Sequence, residues 1–416
     1  MVDATTGHAN GDVDGGTNRG GDPVARLGAH LAALAPRTPA LARQLGVTDP
    51  ARVTGRDALA ALPVTRKPEL MAMQADAPPY GGWLPDGAVS PRTFVSPGPV
   101  HEPQPTGADP YGAAAAMRAA GFGAGDVVVN CFGYHGTPGG FILDEGLRAL
   151  GATVFPAGPG NTDQTVATLG ALRPVGYVGT PDFLKVLLDR AAEAGTDLSS
   201  ITRALVSGGA LFPSLRDGYA GRGVSVLQAY ATADAGVIAH ETMANGALDP
   251  GMAVSDRMVV EIVTPGTGDP VGEGEVGELV VTLLSETWPL LRFGTGDLTR
   301  WIAAPSPGGA PGRIAGWMGR ADQRTKVKGM FVDPAQIARV VKAHPNVVRA
   351  RLVVAREGEG DAMVLRVVGS GAGEKIDPGA VAATLRAETG LRGAVEIVDA
   401  LPADGIVIED ARDYDG

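Results

Sequence analysis

From residue 108 to residue 232 the chain alternates between two periods. Short apolar runs rich in β-branched residues, "DVVVNCF", "ATVFPAG", "VGYVGTP", "ITRALVSGG" and "VSVLQAYAT", are strand-like. Between and around them lie "DPYGAAAAMRAAGF", "GGFILDEGLRALG", "TDQTVATLGALRP", "DFLKVLLDRAAEAG" and "SLRDGYAGRG", whose apolar residues recur at helical spacing. Strands that read as near-continuous apolar runs are buried on both faces, and a helix after each strand supplies the cover. The alternation therefore predicts an α/β unit built on a mainly parallel sheet. No internal repeat interrupts it.

The flanking segments have other patterns. Residues 24–75 carry helical spacing in "VARLGAHLAALA" and "PALARQLG", and residues 76–105, rich in Pro and Gly, read as an extended loop region. Residues 257–303 give "RMVVEIV", "GELVVTLL" and "LLRFGTGDLTRWI" with turns between, which predicts a small antiparallel sheet or barrel. At the end, "DPAQIARVVKAHP", "VVRARLVVARE", "DAMVLRVVG", "PGAVAATLRAETG" and "AVEIVDALP" predict an α-β-β-α-β unit of about 90 residues. The expected division is a tail at 1–23, a large domain at 24–321 and a small one at 322–416. The tail has neither an apolar core nor a basic leader and reads as disordered.

Charge and cysteine usage narrow the function. The formal net charge is −11, and a broad nucleic-acid footprint would need clustered Lys and Arg. Cys131 is the only cysteine, so there is no intrachain disulfide and no Cys-based zinc site is expected, even beside His240 and Glu241. No run of about 18 apolar residues occurs, so no membrane span is expected, and the cytoplasm is the default compartment.

Four segments carry the candidate chemistry. "RALVSGGALFPSLRD" ends a strand in Ser207, Gly208, Gly209 and Ala210, where an open α/β sheet binds ligands and glycines admit a flat one. By itself it is a plain tight turn. "LQAYATADAG" places Tyr230 to stack on a base and Asp234 to hold a magnesium ion, though a packed ring and a helix cap are the blander readings. "RFGTGDLTR" sets Asp297 at a turn where a carboxylate can accept both hydroxyls of a ribose. "GWMGRADQRTKVKGMFVDPAQI" packs Arg320, Asp322, Arg324, Lys326 and Lys328 before a helix, as a solvated linker or as a hinge that brings cations to an anionic ligand.

In this order the four segments resemble the adenylate-forming superfamily of acyl-CoA synthetases, and most of all its phenylacetate–CoA ligase branch. "RFGTGD" with "GRADQRTKVKGMFVDPAQI" is the most specific part, "GGFILDEGLRALGATVFPAGPGNT" agrees, and the resemblance runs from about residue 85 to the C-terminus. It implies a large domain of parallel and mixed sheets with a small antiparallel β subdomain, and a mobile α+β C-terminal domain. It implies a ligase that joins a small carboxylic acid, aromatic ones included, to ATP with Mg2+. The C-terminal domain then rotates and coenzyme A attacks the acyl-adenylate.

Carried over by resemblance, Ser207 to Ala210 line the adenine, with Ala231 beside Tyr230, which stacks on it. Asp234 stands where a magnesium-binding Glu is usual, and Thr232 supplies a phosphate-facing hydroxyl in place of the residues replaced by Ala231 and Ala233. Asp297 holds the ribose, Arg320 sits near ribose and phosphate, Asp322 is the hinge, and Lys328 and Gly329 border the pantetheine channel. Tyr134, His135, Gly139 and Gly140 in "CFGYHGTPGG" would meet the acyl group, where a helix N-terminus favours an anion.

Two places depart from the family. The phosphate loop reads "TFVSPGPVHEP": Ser96 and Gly98 remain as phosphate contacts, Pro97 and Pro99 lack donors, and Glu102 stands where a cation is common. Near the C-terminus, "LPADG" should be followed by a lysine that bridges the acyl carboxylate and the α-phosphate, and Ile406 is there instead. A natural loss and an engineered change would read alike. The expectation is weakened adenylation with thiol transfer retained. Two alternatives share these motifs: a non-catalytic nucleotide or acyl-CoA binder, and an enzyme that hands the acyl group to a carrier protein or an amine. The resemblance also leaves a homodimer open.

Overall fold

A computed structural model describes residues 22–96, 99–305, 312–358, 360–370, 376–402 and 406–412. The expected tail and Gly98 of the phosphate loop thus lie largely or wholly outside the described residues.

The predicted alternation forms five adjacent parallel strands. In space they run Thr153–Pro156, Val127–Asn130, Gly176–Gly179, Arg203–Val206 and Ser225–Thr232. Alternate residues face opposite sides, and both sides are buried. Val128, Val178, Leu205 and Leu227 pack with Ile142, Leu143 and Leu147 of the helix Gly139–Ala149. Val129, Tyr177, Ala204, Val206 and Val226 pack with Leu184 and Leu187 of the helix Pro181–Ala194. Antiparallel strands Gly236–His240, Met252–Val254, Arg313–Ile314 and Trp301–Ala303 extend the sheet to nine strands.

The first of these five in chain order, Val127–Asn130, lies second in space, so the connections run in opposite directions from it. Its carboxyl end, beside that of Gly176–Gly179, is therefore the switch point at which such sheets open a crevice. The loops after Asn130, Gly179 and Val206 all emerge at this end.

Residues 24–76 are helical, as expected, and interrupted by the short strand Thr65–Arg66. That strand pairs in parallel with Phe293–Thr299, so the sheet at 257–303 is not wholly antiparallel. Gly277–Leu283 and Met258–Val263 complete it in antiparallel fashion. Leu27, Leu31, Leu41, Leu59 and Trp83 share one core with Val259, Val281 and Phe293. A buried ion pair fastens this union: Arg292 Nε donates to Glu261 Oε2 at 3.0 Å, Nη2 lies 3.0 Å from Oε1, and the guanidinium donates to the carbonyls of Ala60, Leu62 and Gly268.

Two expectations are adjusted. The loop region 76–105 contains a hairpin, Thr93–Ser96 with Val100–Pro103. The helix in 109–122 is only Ala114–Ala119, because Pro110 and Gly112 precede it and the Asp109 carboxylate accepts from the amides of Ala113 and Ala114.

The C-terminal unit has the order Ala394–Ile397, Gly360–Gly369, Val347–Glu357, Ile408–Asp410 in its sheet, with helices Pro334–Ala343 and Pro378–Thr389. Leu352, Val354, Leu365, Ile337, Val340 and Leu385 form its own core. The strand Ile408–Asp410 lies beyond the expected α-β-β-α-β pattern and adds a parallel edge. Ahead of the unit, Thr325–Val327 and Met330–Val332 form a hairpin whose two turn residues, Lys328 (φ 48) and Gly329 (φ 83), are both left-handed.

Candidate active site

Tyr230, Asp297 and Arg320 meet. The strand Ser225–Thr232 carries Tyr230 with its ring buried, and its hydroxyl donates to Asp297 Oδ2 at 2.6 Å. Arg320 donates to Asp297 Oδ1 at 2.8 Å and Trp317 Nε1 to the same oxygen at 3.2 Å. A backbone bridge pairs Asp297 with Arg320, which fixes the side chains across from each other. Gly296 has φ 75, and a Cβ there would lie 2.4 Å from the Arg320 guanidinium. Burial and the Asp297 carboxylate both push the Tyr230 hydroxyl well above its ordinary pKa, so it remains a donor. An ionised carboxylate has about four lone-pair positions. Three are used here, so a ribose hydroxyl must take the fourth or displace a protein donor.

Arg320 continues the chain of charges to Asp322, at 2.8 Å and 2.5 Å. Burial alone would raise the Asp322 carboxyl, but the hydrogen bonds and charge of Arg320 hold it below its ordinary value. Asp322, the expected hinge, is thus clamped from one side and accepts the Arg324 amide on the other, at 3.0 Å.

The SGGA turn follows the strand Arg203–Val206 at the crevice end of the sheet. Ser207 is buried, and its amide bonds to the Gly179 carbonyl at 3.1 Å. Gly208 has φ 71, which an L side chain rarely adopts. The Gly208 carbonyl accepts from Lys326 Nζ at 2.6 Å, and the Gly209 carbonyl from Gln228 at 3.1 Å. Lys326 is on the hairpin ahead of the C-terminal unit, so this bond ties that hairpin to the expected adenine turn. Burial lowers the Lys326 pKa. A second tie stacks the Arg356 guanidinium 3.6 Å from the ring centre of Phe212.

Asp234 is buried in the turn after Thr232. Its Oδ2 pairs with Lys67 Nζ at 3.0 Å. Glu102, across from it on the hairpin, is also buried; burial first, and the Asp234 carboxylate second, push its carboxyl well above the usual range. The Thr232 hydroxyl accepts from the Ala235 amide at 3.2 Å and closes the turn that carries Asp234.

This geometry accords with the comparisons. A family model described as "AMP-binding enzyme" matches residues 146–283. A phenylacetate–coenzyme A ligase of Thermus thermophilus is 30% identical over 358 residues, covering 82% of this chain and 79% of that protein. The phenylacetate–coenzyme A ligase of Escherichia coli K12 is 29% identical over 272 residues, 61% of this chain and 59% of the relative. The chain belongs to the phenylacetate–coenzyme A ligase family of adenylate-forming enzymes. It is an AMP-forming acid–thiol ligase by that membership.

Solved structures show the same fold. A 2-hydroxyisobutyryl-CoA ligase with 2-HIB-AMP and CoA in the thioesterification state gives a TM-score of 0.73 at 22% identity, covering 94% of this chain and 89% of that one. The same enzyme in the postadenylation state gives 0.64, with 93% and 88% covered.

In this ligase the acyl-loop residues divide. Tyr134 spends its hydroxyl within the fold: it donates to Asp144 at 2.9 Å and accepts from Asn130 at 2.8 Å. His135 is exposed. Gly139 begins the helix, and Gly140 lies so close to the Tyr134 ring and the Gly133 carbonyl that a Cβ would meet both at 2.9 Å. Gly140 is thus required for packing the loop, whatever it does for a ligand. Lys328 and Gly329 are exposed at the hairpin turn. Ile406 is 39% exposed, and the next amide, that of Val407, donates to the Gln323 side chain at 2.7 Å. Residue 406 is therefore tied to the turn that follows Asp322.

Sequence reasoning passed over Lys67, Trp317 and the part played by Lys326. Lys67 lies in "TRKPEL", at the end of the stretch whose sequence signal is helical spacing alone. The one available signal was Glu102 at a position where the family uses a cation: a buried acid there calls for a positive group from elsewhere.

Proposed function

We propose that this ligase activates a small carboxylic acid with ATP and passes the acyl group to coenzyme A. An arylacetic acid such as phenylacetate is the first candidate, since the named relatives act on it. The observation that carries the reading is the convergence of Tyr230, Asp297 and Arg320 beside the SGGA turn. Tyr230 offers its ring to the adenine while its hydroxyl orients Asp297. Asp297 accepts from the ribose, and Arg320 faces the ribose and the α-phosphate. A bound Mg2+ would offset phosphate charge, and Asp234, whose buried Oδ1 finds no donor among the described residues, is fit to hold it.

In the first half-reaction an acid oxygen attacks the α-phosphorus and pyrophosphate leaves. In the second, a thiolate attacks the acyl carbonyl and AMP leaves. The Lys326–Gly208 bond supports a domain pose suited to the second, and so does the higher TM-score against the thioesterification state. In this reading Ile406 weakens the first half-reaction alone.

The test is a panel of aryl and short-chain acids with ATP, Mg2+ and coenzyme A, followed by pyrophosphate, AMP and thioester. Acid-dependent pyrophosphate with thioester is expected; ATP binding with no product from any acid and any acceptor would favour a non-catalytic binder. A variant separates the halves. Lys326→Ala removes a charge-assisted hydrogen bond worth about 1.5–3 kcal/mol, so thioester formation from a supplied acyl-adenylate should fall roughly 10- to 100-fold. Pyrophosphate release should stay within about two-fold. Equal losses in both would refute the assignment of this lysine to the thiol-transfer pose.

A further inference from the structure

The chamber under the phosphate-loop hairpin holds a surplus of acceptors. Phe94, Ser96, Val100 and Glu102 lie on the buried face of the hairpin. Ser96, Glu102 and Asp234 are 2%, 3% and 4% exposed. Ser96 Oγ, both Glu102 oxygens and Asp234 Oδ1 find no hydrogen-bond partner among the described residues. Lys67 answers only Asp234 Oδ2. A buried carboxylate without a donor is costly, and these oxygens need either a retained proton or a cation.

We propose that Glu102 and Asp234 together form a divalent-cation site, with the Ser96 hydroxyl as a neutral third ligand, and that this site fills before nucleotide binds. The ligands are all hard oxygens, which select Mg2+ or Mn2+ over softer metals. Mg2+ is commonly held by one or two carboxylates plus substrate phosphates, with water on the remaining positions. With both carboxyls ionised, they and Lys67 sum to one negative charge, and a divalent ion turns that into one positive charge at the base of the phosphate loop. The departure of Glu102 from the family's usual cation then has a physical reason. The acid does not replace the cation; it recruits one. Lys67 neutralises Asp234 while the metal is away and competes with it for the same carboxylate.

The link to phosphate rests on the ligase reading above, but metal binding itself does not. The experiment is a titration of the full chain with Mn2+ in the absence of nucleotide, followed by the electron paramagnetic resonance signal of free Mn2+. One Mn2+ per chain, displaced by Mg2+, is expected. Glu102→Gln and Asp234→Asn should each weaken binding at least about 10-fold. Lys67→Met should tighten it, an effect of opposite sign that general loss of structure would not give. A thermal melt of each variant, with and without Mn2+, identifies any that fail to fold. No Mn2+ bound without nucleotide, or equal affinity in Glu102→Gln, would overturn the proposal. Acid-dependent pyrophosphate release, measured on the same samples, separates the two readings. If it persists without nucleotide-free metal binding, the ligase reading stands and this inference falls. Metal bound as described with no pyrophosphate from any acid leaves this site standing and removes its place in the reaction.

Discussion

Ile406→Lys should raise acid-dependent pyrophosphate release by about 10²–10³-fold, because a preorganised charged donor aimed at transition-state charge is worth about 3–4 kcal/mol. Residue 406 is 39% exposed, so the lysine brings no burial cost in the present pose. It stands just before the strand Ile408–Asp410, and its neighbour Val407 is bonded to Gln323, next to Asp322. A rotation at Asp322 would therefore carry residue 406 with the hinge as one body. Thioester formation from a supplied acyl-adenylate should change little, since in the proposed cycle the lysine leaves the site before thiol transfer. The measurement is pyrophosphate release across the acid panel for both proteins, with the second half-reaction assayed in parallel. An unchanged rate of pyrophosphate release would mean that position 406 is not the family's lysine position. A rise in both halves together would point to a general effect on folding or domain closure.

Asp297→Asn should cost both stability and ATP binding. The side chains of Asp297 and Arg320 are each 10% exposed. Removing the Asp297 charge leaves Arg320 paired with Asp322 alone, so the cost should approach but not reach the ~3–5 kcal/mol of an uncompensated buried charge. The asparagine also turns an amide toward the donors of Tyr230, Trp317 or Arg320. The unfolding midpoint should drop by several degrees, and the dissociation constant for ATP should rise at least about 10²-fold, the scale of two charge-assisted hydrogen bonds. Pairing the change with Arg320→Met separates the two effects. The double variant should regain part of the stability, since the buried guanidinium is gone and only the half-exposed Asp322 loses its arginine, but not the ATP affinity. If the single variant keeps wild-type ATP affinity, Asp297 does not hold the ribose. Calorimetric titration with ATP and a thermal melt of the three variants suffice.

The parts of the site that were legible in the sequence are those whose chemistry is local. "YATAD" and "RFGTGD" keep their residues on single strands or turns, where two or three neighbours set the backbone. The "KG" turn at Lys328 and Gly329 is legible for the same reason: both residues adopt φ above zero, and the hairpin follows from it. The acyl loop was harder. "YHGTPGG" suggested Tyr134 for a ligand, yet Asn130 and Asp144 hold its hydroxyl. Asp144 faces it from the next helix, a relation set by how closely Gly140 lets that helix approach.

What the sequence by itself determined is the alternation of strand and helix in the middle of the chain, and with it the parallel sheet and its crevice. It also determined the order of motifs along that sheet and the separate α+β unit at the end. The sheet and the end unit follow from the period at which apolar residues recur, and a period is a local property of the chain. The tertiary structure alone decided that Lys67 faces Asp234, that Lys326 crosses to Gly208, and that Arg292 and Glu261 lock the N-terminal helices onto the second sheet. These partners lie far apart in the chain, and buried charge must be matched by whatever packing brings within reach. No local rule chooses the partner; the way the layers close over one another does.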